Sequence, residues 1–392
     1  MPQPTVAVVG GGQLARMMQQ AAIGLQVRLV ALVESPTSST AQVVPAARVG
    51  RADDVAALTA LAHEADVLTF EHEHVPNAAL AELRADGHPV EPGPEALVHA
   101  QDKIVMRRRL TELGVPCPRW RVAHSASDVA EFGDEVGWPV VVKTPRGGYD
   151  GKGVALVERA EVSAGGPAGG AGLPFELDAD HPLLLEERVP FTRELAALVA
   201  RRPSGELRTW PVVETIQRGG VCAEVLSPAP DLNPTTARQA EGIARLVAEG
   251  LGVTGVLAVE MFLVESEGEP DRLLVNELAM RPHNSGHATI DAHVTSQFEQ
   301  HLRAVLDLPL GETAQRAPWA VMANLLGSEL AEPSSSYATL LAELPAAKVH
   351  LYGKEVRPGR KLGHVTVVGD DLDVLRAQAA RAIEILSGKA ES

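Results

Sequence analysis

The chain has 392 residues, of which 45% are hydrophobic and 22% charged, a balance that supports two or three folded domains and excludes a disordered or fibrous protein. Lys and Arg number 35 against 51 Asp and Glu, for a formal net charge of −16, and aromatic residues make up only 3%, which argues against a broad nucleic-acid-binding face. No stretch approaches the roughly 20 apolar residues that span a bilayer, the start lacks the basic n-region of a signal peptide, and Cys117 and Cys222 are the only cysteines, so a reducing cytoplasm is expected.

The first hundred residues alternate strand and helix: strands over 5–9, 27–33 and 66–70, helices over 13–23 and 53–63. That alternation predicts βαβ units and a parallel sheet. Gly10-Gly11-Gly12-Gln13-Leu14-Ala15 satisfies G-x-G-x-x-A between a strand and a helix, and Glu34 closes the next strand. Taken alone, this suggests an NAD-dependent oxidoreductase, although any anion can use a glycine turn at a helix N-terminus. The sequence GHPVEPGP at 87–94 marks a boundary. Beyond it a helix is expected over 102–113, strands over 120–123, 139–143 and 154–157, and a low-complexity surface loop over 163–174. Strands over 183–189, 195–201, 207–217, 255–264 and 273–278 follow, with helices over 235–250 and 290–306; consecutive strands with helices set apart suggest an α+β region. The tail carries strands over 320–325, 349–351 and 364–368 and a helix over 372–386.

Several segments carry chemistry. The run Lys143-Thr-Pro-Arg-Gly-Gly-Tyr-Asp-Gly-Lys-Gly153 combines glycines with Lys143 and Lys152, the features of a flap over polyphosphate, without P-loop spacing. Glu260 lies in an apolar strand and Glu277 ends another beside Asn276. Half-buried carboxylates are costly unless they are paired or bind a metal, so the two form either an oxygen site for Mg²⁺ or a salt bridge to Arg281 or another cation. In Arg281-Pro-His-Asn-Ser-Gly-His287, Pro282 argues for a loop, and the donors suit a carboxylate or phosphate better than zinc. Lys354-Glu-Val-Arg-Pro-Gly-Arg-Lys361 is either a solvated face or a phosphate grip. Glu71-His-Glu-His74 reads as a polar loop or a ligand-binding strand end.

Together these motifs resemble the N5-carboxyaminoimidazole ribonucleotide synthetases, ATP-grasp enzymes of purine synthesis. The resemblance rests on GGGQLARMM at 10–18, TFEHEHVP at 69–76, GGYDGKG at 147–153, NELAMRPHNSGH at 276–287, SQFEQHLRA at 296–304 and YGKEVRPGRKLGH at 352–364. It implies an α/β and α+β chain in three parts. These are a Rossmann-like pre-ATP-grasp domain that binds no NAD (1–98), an ATP-grasp unit of two antiparallel-sheet lobes (99–315, divided near 190), and a small β-rich C-terminal domain (316–392).

By the same resemblance, ATP lies between the two lobes. Lys103 and Lys143 contact its phosphates under the flap formed by Gly148, Tyr149, Asp150, Gly151, Lys152, Gly153 and Val154. Glu186, Glu187, Arg188 and Val189 frame the adenine, with backbone groups at the hinge making part of the contact; Glu194 holds the ribose, Asn276 and Glu277 approach the phosphates, and Glu260 with Glu277 ligates Mg²⁺ or Mn²⁺. Gln217 stands at a nucleotide position where relatives often carry His or Asn, and Met280 where Pro is common. The imidazole ribotide and bicarbonate are met by Gln13, Glu71, Glu73, Tyr149, Asp150, Lys152, Arg281, His283 and Asn284, and the ribotide phosphate by Lys354, Arg360 and Lys361. Asp150, Lys152 and Arg281 are the expected catalytic residues, with Asp150 assisting proton removal from the amine. The implied reaction carboxylates 5-aminoimidazole ribonucleotide through carboxyphosphate, in a homodimer that passes its product to a separate mutase. The competing readings are another ATP-grasp ligase, such as the formate-dependent glycinamide ribotide transformylase, an NAD oxidoreductase, and a non-catalytic nucleotide-binding module.

Overall fold

The computed structural model describes residues 3–148, 153–163 and 173–389. Its first layer is a parallel sheet of β1 (Thr5–Val9), β2 (Arg28–Val33), β3 (Ala47–Val49) and β4 (Val67–Phe70), in the order β3-β2-β1-β4. Every residue of β1 is buried, as a parallel strand covered on both faces requires. Side-chain alternation divides it between two cores: Ala7 and Val9 join Leu58, Leu61 and Leu80, while Val6 and Val8 join Met17, Met18 and Phe298. Phe298 comes from the helix Gln297–Val305, far along the chain. The first layer is thereby seated on the central region.

The second layer is antiparallel: β5 (Trp120–Ala123), β6 (Val140–Lys143), β7 (Val154–Val157) and β8 (Leu183–Glu187), ordered β5-β8-β6-β7. The helix Ala126–Val136, started by a Ser125/Asp128 capping box, packs Val129 and Phe132 on it. The third layer is a nine-stranded antiparallel sheet of β9 (Arg193–Arg201), β10 (Leu207–Thr209), β11 (Val213–Arg218), β12 (Val221–Ser227), β13 (Gly255–Val264), β14 (Arg272–Ala279), β15 (Trp319–Leu326), β16 (Lys348–Leu351) and β17 (Lys361–Gly369). Its order is β14-β13-β9-β11-β12-β15-β17-β16, with β10 on β9. The C-terminal strands therefore extend the large antiparallel sheet, joined to it by β12 against β15. No helix of the described residues is long and apolar enough to cross a membrane.

Three expectations change. The strand expected over 207–217 is two strands, because Pro211 has no N–H for the ladder and Trp210 turns inward, its Nε1 donating to the Thr295 carbonyl at 3.2 Å. The helix expected over 290–306 is broken into Thr289–Ala292 and Gln297–Val305 by His293, which is extended, and Ser296, which caps the second helix through the Glu299 N–H. Strand β12 escaped the sequence reading altogether. Its signal was Gly219-Gly220, both at positive φ (60° and 78°), the turn that a tight hairpin requires.

Candidate active site

A cavity of about 1510 Å³ is lined by all three layers. Of the described residues expected to meet nucleotide, metal, ribotide or bicarbonate, all line it except Gly153; Tyr149, Asp150, Gly151 and Lys152 lie outside the described residues, as does most of the loop 163–174.

Part of the cavity wall is apolar. Phe191 and Phe262 stack with centroids 4.6 Å apart, and Val154 and Leu156 face it from β7 while 37% and 56% exposed. Such walls suit a flat heteroaromatic ring. Arg188, Val189 and Lys103 line the same cavity, as do Glu194, where burial pushes the carboxyl up, and Gln217, which sits opposite Cys222 between β11 and β12. The Glu187 carboxylate is bound to Arg119 Nε at 2.7 Å and to the Arg119 N–H at 3.0 Å. The carboxylate of Glu186, a residue expected to frame the adenine partly through hinge backbone groups, is held by two cations. It is 2% exposed and takes Arg107 Nε at 2.6 Å on one oxygen and Lys143 Nζ at 2.8 Å on the other. Burial alone would raise this carboxyl; the charges of Arg107 and Lys143 overcome it and hold the pKa at about 2. Lys143 also donates to Asn276 Oδ1 at 3.0 Å, and Arg107 Nη2 to the Asn276 carbonyl at 2.7 Å.

Below this ring lie the paired acids. Glu260 and Glu277 are direct cross-strand partners on β13 and β14. Burial, then Glu277 and Glu194, pushes Glu260 up to about 8. The alternative of a salt bridge from Glu260 to Arg281 is not realised: Arg281 Nε pairs with Glu73 Oε1 at 2.9 Å. Among the described residues neither acid is ion-paired to a lysine or arginine, and Glu260 faces only His283 Nε2, at 3.2 Å. Burial holds His283 down at about 3. It is therefore neutral and offers no compensating charge. Two adjacent acids on paired strands, with no lysine or arginine ion pair among the described residues, fit a hard divalent cation.

The far end is built for an anion. Lys354 donates to Gln13 Oε1, and Arg360 and Lys361 line the wall beside them. His283 is fixed by Gln297, which accepts from its N–H at 2.8 Å and donates to its carbonyl at 2.7 Å. Gln297 Nε2 also lies 3.1 Å from His287 Nδ1, so the His287 proton sits on Nε2. That nitrogen and Asn284 Nδ2 are buried with no hydrogen-bond partner among the described residues, and unclaimed buried donors of this kind await a ligand acceptor.

The glycine turn is not a dinucleotide site. The Glu71 carboxylate accepts from the Gly12 N–H and, at 3.0 Å, from the Ala15 N–H, and Glu34 accepts from the Gly11 N–H at 3.1 Å. The protein's own carboxylates thus fill the place at the helix N-terminus that a pyrophosphate would take. A Cβ on Gly12 would lie 2.5 Å from Glu71 Oε1, which is why the third glycine is needed. Glu71 lines the cavity, but its charge is spent on the helix.

Comparison with known proteins agrees with this division. Residues 3–101 match the ribonucleotide synthetase preATP-grasp domain, 108–298 the ATP-grasp domain, and 320–378 the phosphoribosylaminoimidazole carboxylase C-terminal domain. The chain is 51% identical over 390 residues to the N5-carboxyaminoimidazole ribonucleotide synthase of Mycobacterium tuberculosis, covering 98% of this chain and 88% of that one. It belongs to the N5-carboxyaminoimidazole ribonucleotide synthase family. The family's N5-carboxyaminoimidazole ribonucleotide synthetase from Thermus thermophilus superposes with a TM-score of 0.85 at 37% identity over 99% of each chain. The Aspergillus clavatus N5-carboxyaminoimidazole synthase, solved with ADP and 5-aminoimidazole ribonucleotide, gives 0.85 at 30% identity over 98% of each chain.

The sequence reading missed Arg107 and the Phe191–Phe262 stack, gave Gln297 no role, and placed His287 in a donor cluster without assigning it a ligand. Arg107 had a readable signal: it stands at the i+3 position between Ile104 and Leu110, on the buried face of its helix. The Phe191–Phe262 contact joins residues on a loop and a distant strand, which no local pattern announces.

Proposed function

We propose that this protein is an ATP-dependent ligase that carboxylates the 5-amino group of 5-aminoimidazole ribonucleotide, giving N5-carboxyaminoimidazole ribonucleotide, ADP and phosphate in purine biosynthesis. The observation that carries this reading is the meeting, in one cavity, of a nucleotide end (Lys143, Glu277) and a cationic end (Lys354, Arg360, Lys361) drawn from a different part of the chain. An NAD oxidoreductase is disfavoured by Glu71, which fills the glycine turn.

Bicarbonate resists direct attack by an amine, so activation comes first. A bicarbonate oxygen attacks the γ-phosphorus of ATP, the bond to the β-phosphate oxygen breaks, ADP leaves, and the bicarbonate proton is released, forming carboxyphosphate. The 5-amino nitrogen then attacks the carboxyl carbon. The bond from that carbon to the phosphate oxygen breaks, and the amine proton departs with phosphate, with Asp150 as the residue assigned to assist. Transfer of this kind depends on positioning and charge neutralisation. Lys143 and Lys103 supply positive charge at the nucleotide; Arg281, oriented by Glu73, and Lys152 supply it at the bicarbonate. His287 and Asn284 offer donors to its oxygens, and Lys354, Arg360 and Lys361 hold the ribotide phosphate. Glu260 and Glu277 would hold Mg²⁺, which when bound neutralises charge on the nucleotide phosphates. Bicarbonate as carbon donor, a homodimeric assembly, a separate mutase as consumer of the product and domain limits near residues 98 and 315 belong to the same proposal and rest on the family resemblance.

ADP release with Mg²⁺, ATP and bicarbonate, measured with and without 5-aminoimidazole ribonucleotide, tests the reading. Stimulation by the ribotide is expected. Stimulation instead by glycinamide ribotide with formate would replace the acceptor and leave the nucleotide half standing.

A further inference from the structure

Arg107 belongs to none of the segments that point to nucleotide, metal or ribotide, yet its guanidinium touches three elements at the nucleotide end. Its side chain is 0% exposed, with Nε on Glu186 of β8 at 2.6 Å. Nη2 donates to the Asn276 carbonyl of β14 at 2.7 Å, and Nη1 faces Cys117 Sγ at 3.7 Å. Lys143 of β6 closes a ring through the other Glu186 oxygen and the Asn276 side chain, at 2.8 and 3.0 Å. Two cations therefore share one carboxylate. If Glu186 faced Lys143 alone, that pair would be neutral, and Lys143 would bring no net charge to a polyphosphate.

We infer that Arg107 is a positioning residue for the nucleotide phosphates. It takes up the charge of Glu186, so that Lys143 acts on the phosphates as an uncompensated cation. It also clamps the backbone of Asn276, the residue before the metal-site acid Glu277, to the small lobe. The ring ties the helix Lys103–Glu112 to β6 and β8 of one lobe and β14 of the other. This rests on the ATP-dependent reading above, but not on the identity of the acceptor.

Calorimetric titration of the full chain with ADP and with AMP, in the absence of ribotide, tests it. Arg107→Met should weaken ADP about tenfold or more, or about 1.4 kcal/mol, and AMP by less than about threefold, since AMP offers the Lys143 cation one phosphate and less negative charge than the two of ADP. Adding Glu186→Gln to Arg107→Met should restore ADP affinity to within about threefold of wild type, because Lys143 is again unopposed. Arg107→Lys keeps the charge and loses the reach to Asn276; it should hold ADP affinity while slowing turnover. A purely architectural arginine gives the opposite pattern: equal losses for ADP and AMP, and a double variant worse than the single one. Either result overturns the inference. If Arg107→Met does not fold by circular dichroism, the double variant and Arg107→Lys decide it: loss of ADP affinity in both overturns it, and retention in both supports it. Wild-type dependence of ADP release on the ribotide tests the acceptor separately, so a wrong acceptor leaves these ratios intact.

Discussion

His301 links the first layer to the large sheet, and its replacement has a calculable pH signature. The imidazole is fully buried; Nδ1 accepts from the Val256 N–H at 3.1 Å and Nε2 meets Thr69 Oγ1 at 2.8 Å. Nδ1 therefore carries no proton, and burial holds the group down at about 3. In His301→Phe, two buried polar groups lose their partner, each at a cost of about 1–3 kcal/mol, so the variant should be about 2–4 kcal/mol less stable at pH 7.5. The sign of the pH effect follows from linkage. An unfolded histidine titrates near 6.5, so below that pH the unfolded chain binds the proton that the native protein refuses. Wild-type stability from this group is full above 6.5 and is lost as pH falls toward 3. At pH 5 the loss is about 1.5 pH units of slope, about 2 kcal/mol, which the phenylalanine variant does not incur. Urea unfolding of both proteins from pH 7.5 to 5 should therefore show the stability gap narrowing by about 2 kcal/mol. A gap that stays constant or widens would refute the neutral, doubly bonded imidazole. Because β4 leads into Glu71 and Glu73 while β13 carries Glu260, the same variant should raise KM for the ribotide.

Other predictions concern the two ends of the cavity. Glu277→Gln relieves its repulsion with Glu260, so without Mg²⁺ it should melt at or above the wild-type temperature. With Mg²⁺ only the wild type should gain stability, and ADP release by the variant should fall about 10²-fold or more; an equal Mg²⁺ shift in both proteins would remove Glu277 from the metal site. Lys354→Met should raise KM for 5-aminoimidazole ribonucleotide about tenfold or more and leave KM for ATP within about twofold, read from initial rates. Gly12→Ala drives a methyl group into the Glu71 carboxylate and should cost about 1–3 kcal/mol by chemical denaturation; an unchanged midpoint would mean that Glu71 does not need the helix N-terminus.

What was legible in the sequence was what local pattern encodes. The strand 5–9 and the acidic pair on 255–264 and 273–278 follow from apolar runs, and β13 lies where its run predicted. The Rossmann-type turn was equally visible, but its occupant was not: only the tertiary fold brings Glu71 over Gly12. Glu186 shows the same limit. Its position near the end of β8 reads as part of a nucleotide hinge, whereas its partners Arg107 and Lys143 lie 79 and 43 residues away in sequence. The broken strand at Pro211 and the hairpin at Gly219-Gly220 were readable from turn chemistry, and reading 207–217 as one strand passed over both.

The central claim is that one cavity couples ATP cleavage to carboxylation of the ribotide amine. Carbon-13 NMR of a reaction containing ¹³C-bicarbonate, ATP, Mg²⁺ and 5-aminoimidazole ribonucleotide tests this directly, with ADP measured in the same tube. The account predicts a carbamate carbon on the ribotide, formed in equal amount to ADP and absent without ATP. ADP formed at full rate with no label on the ribotide would contradict it.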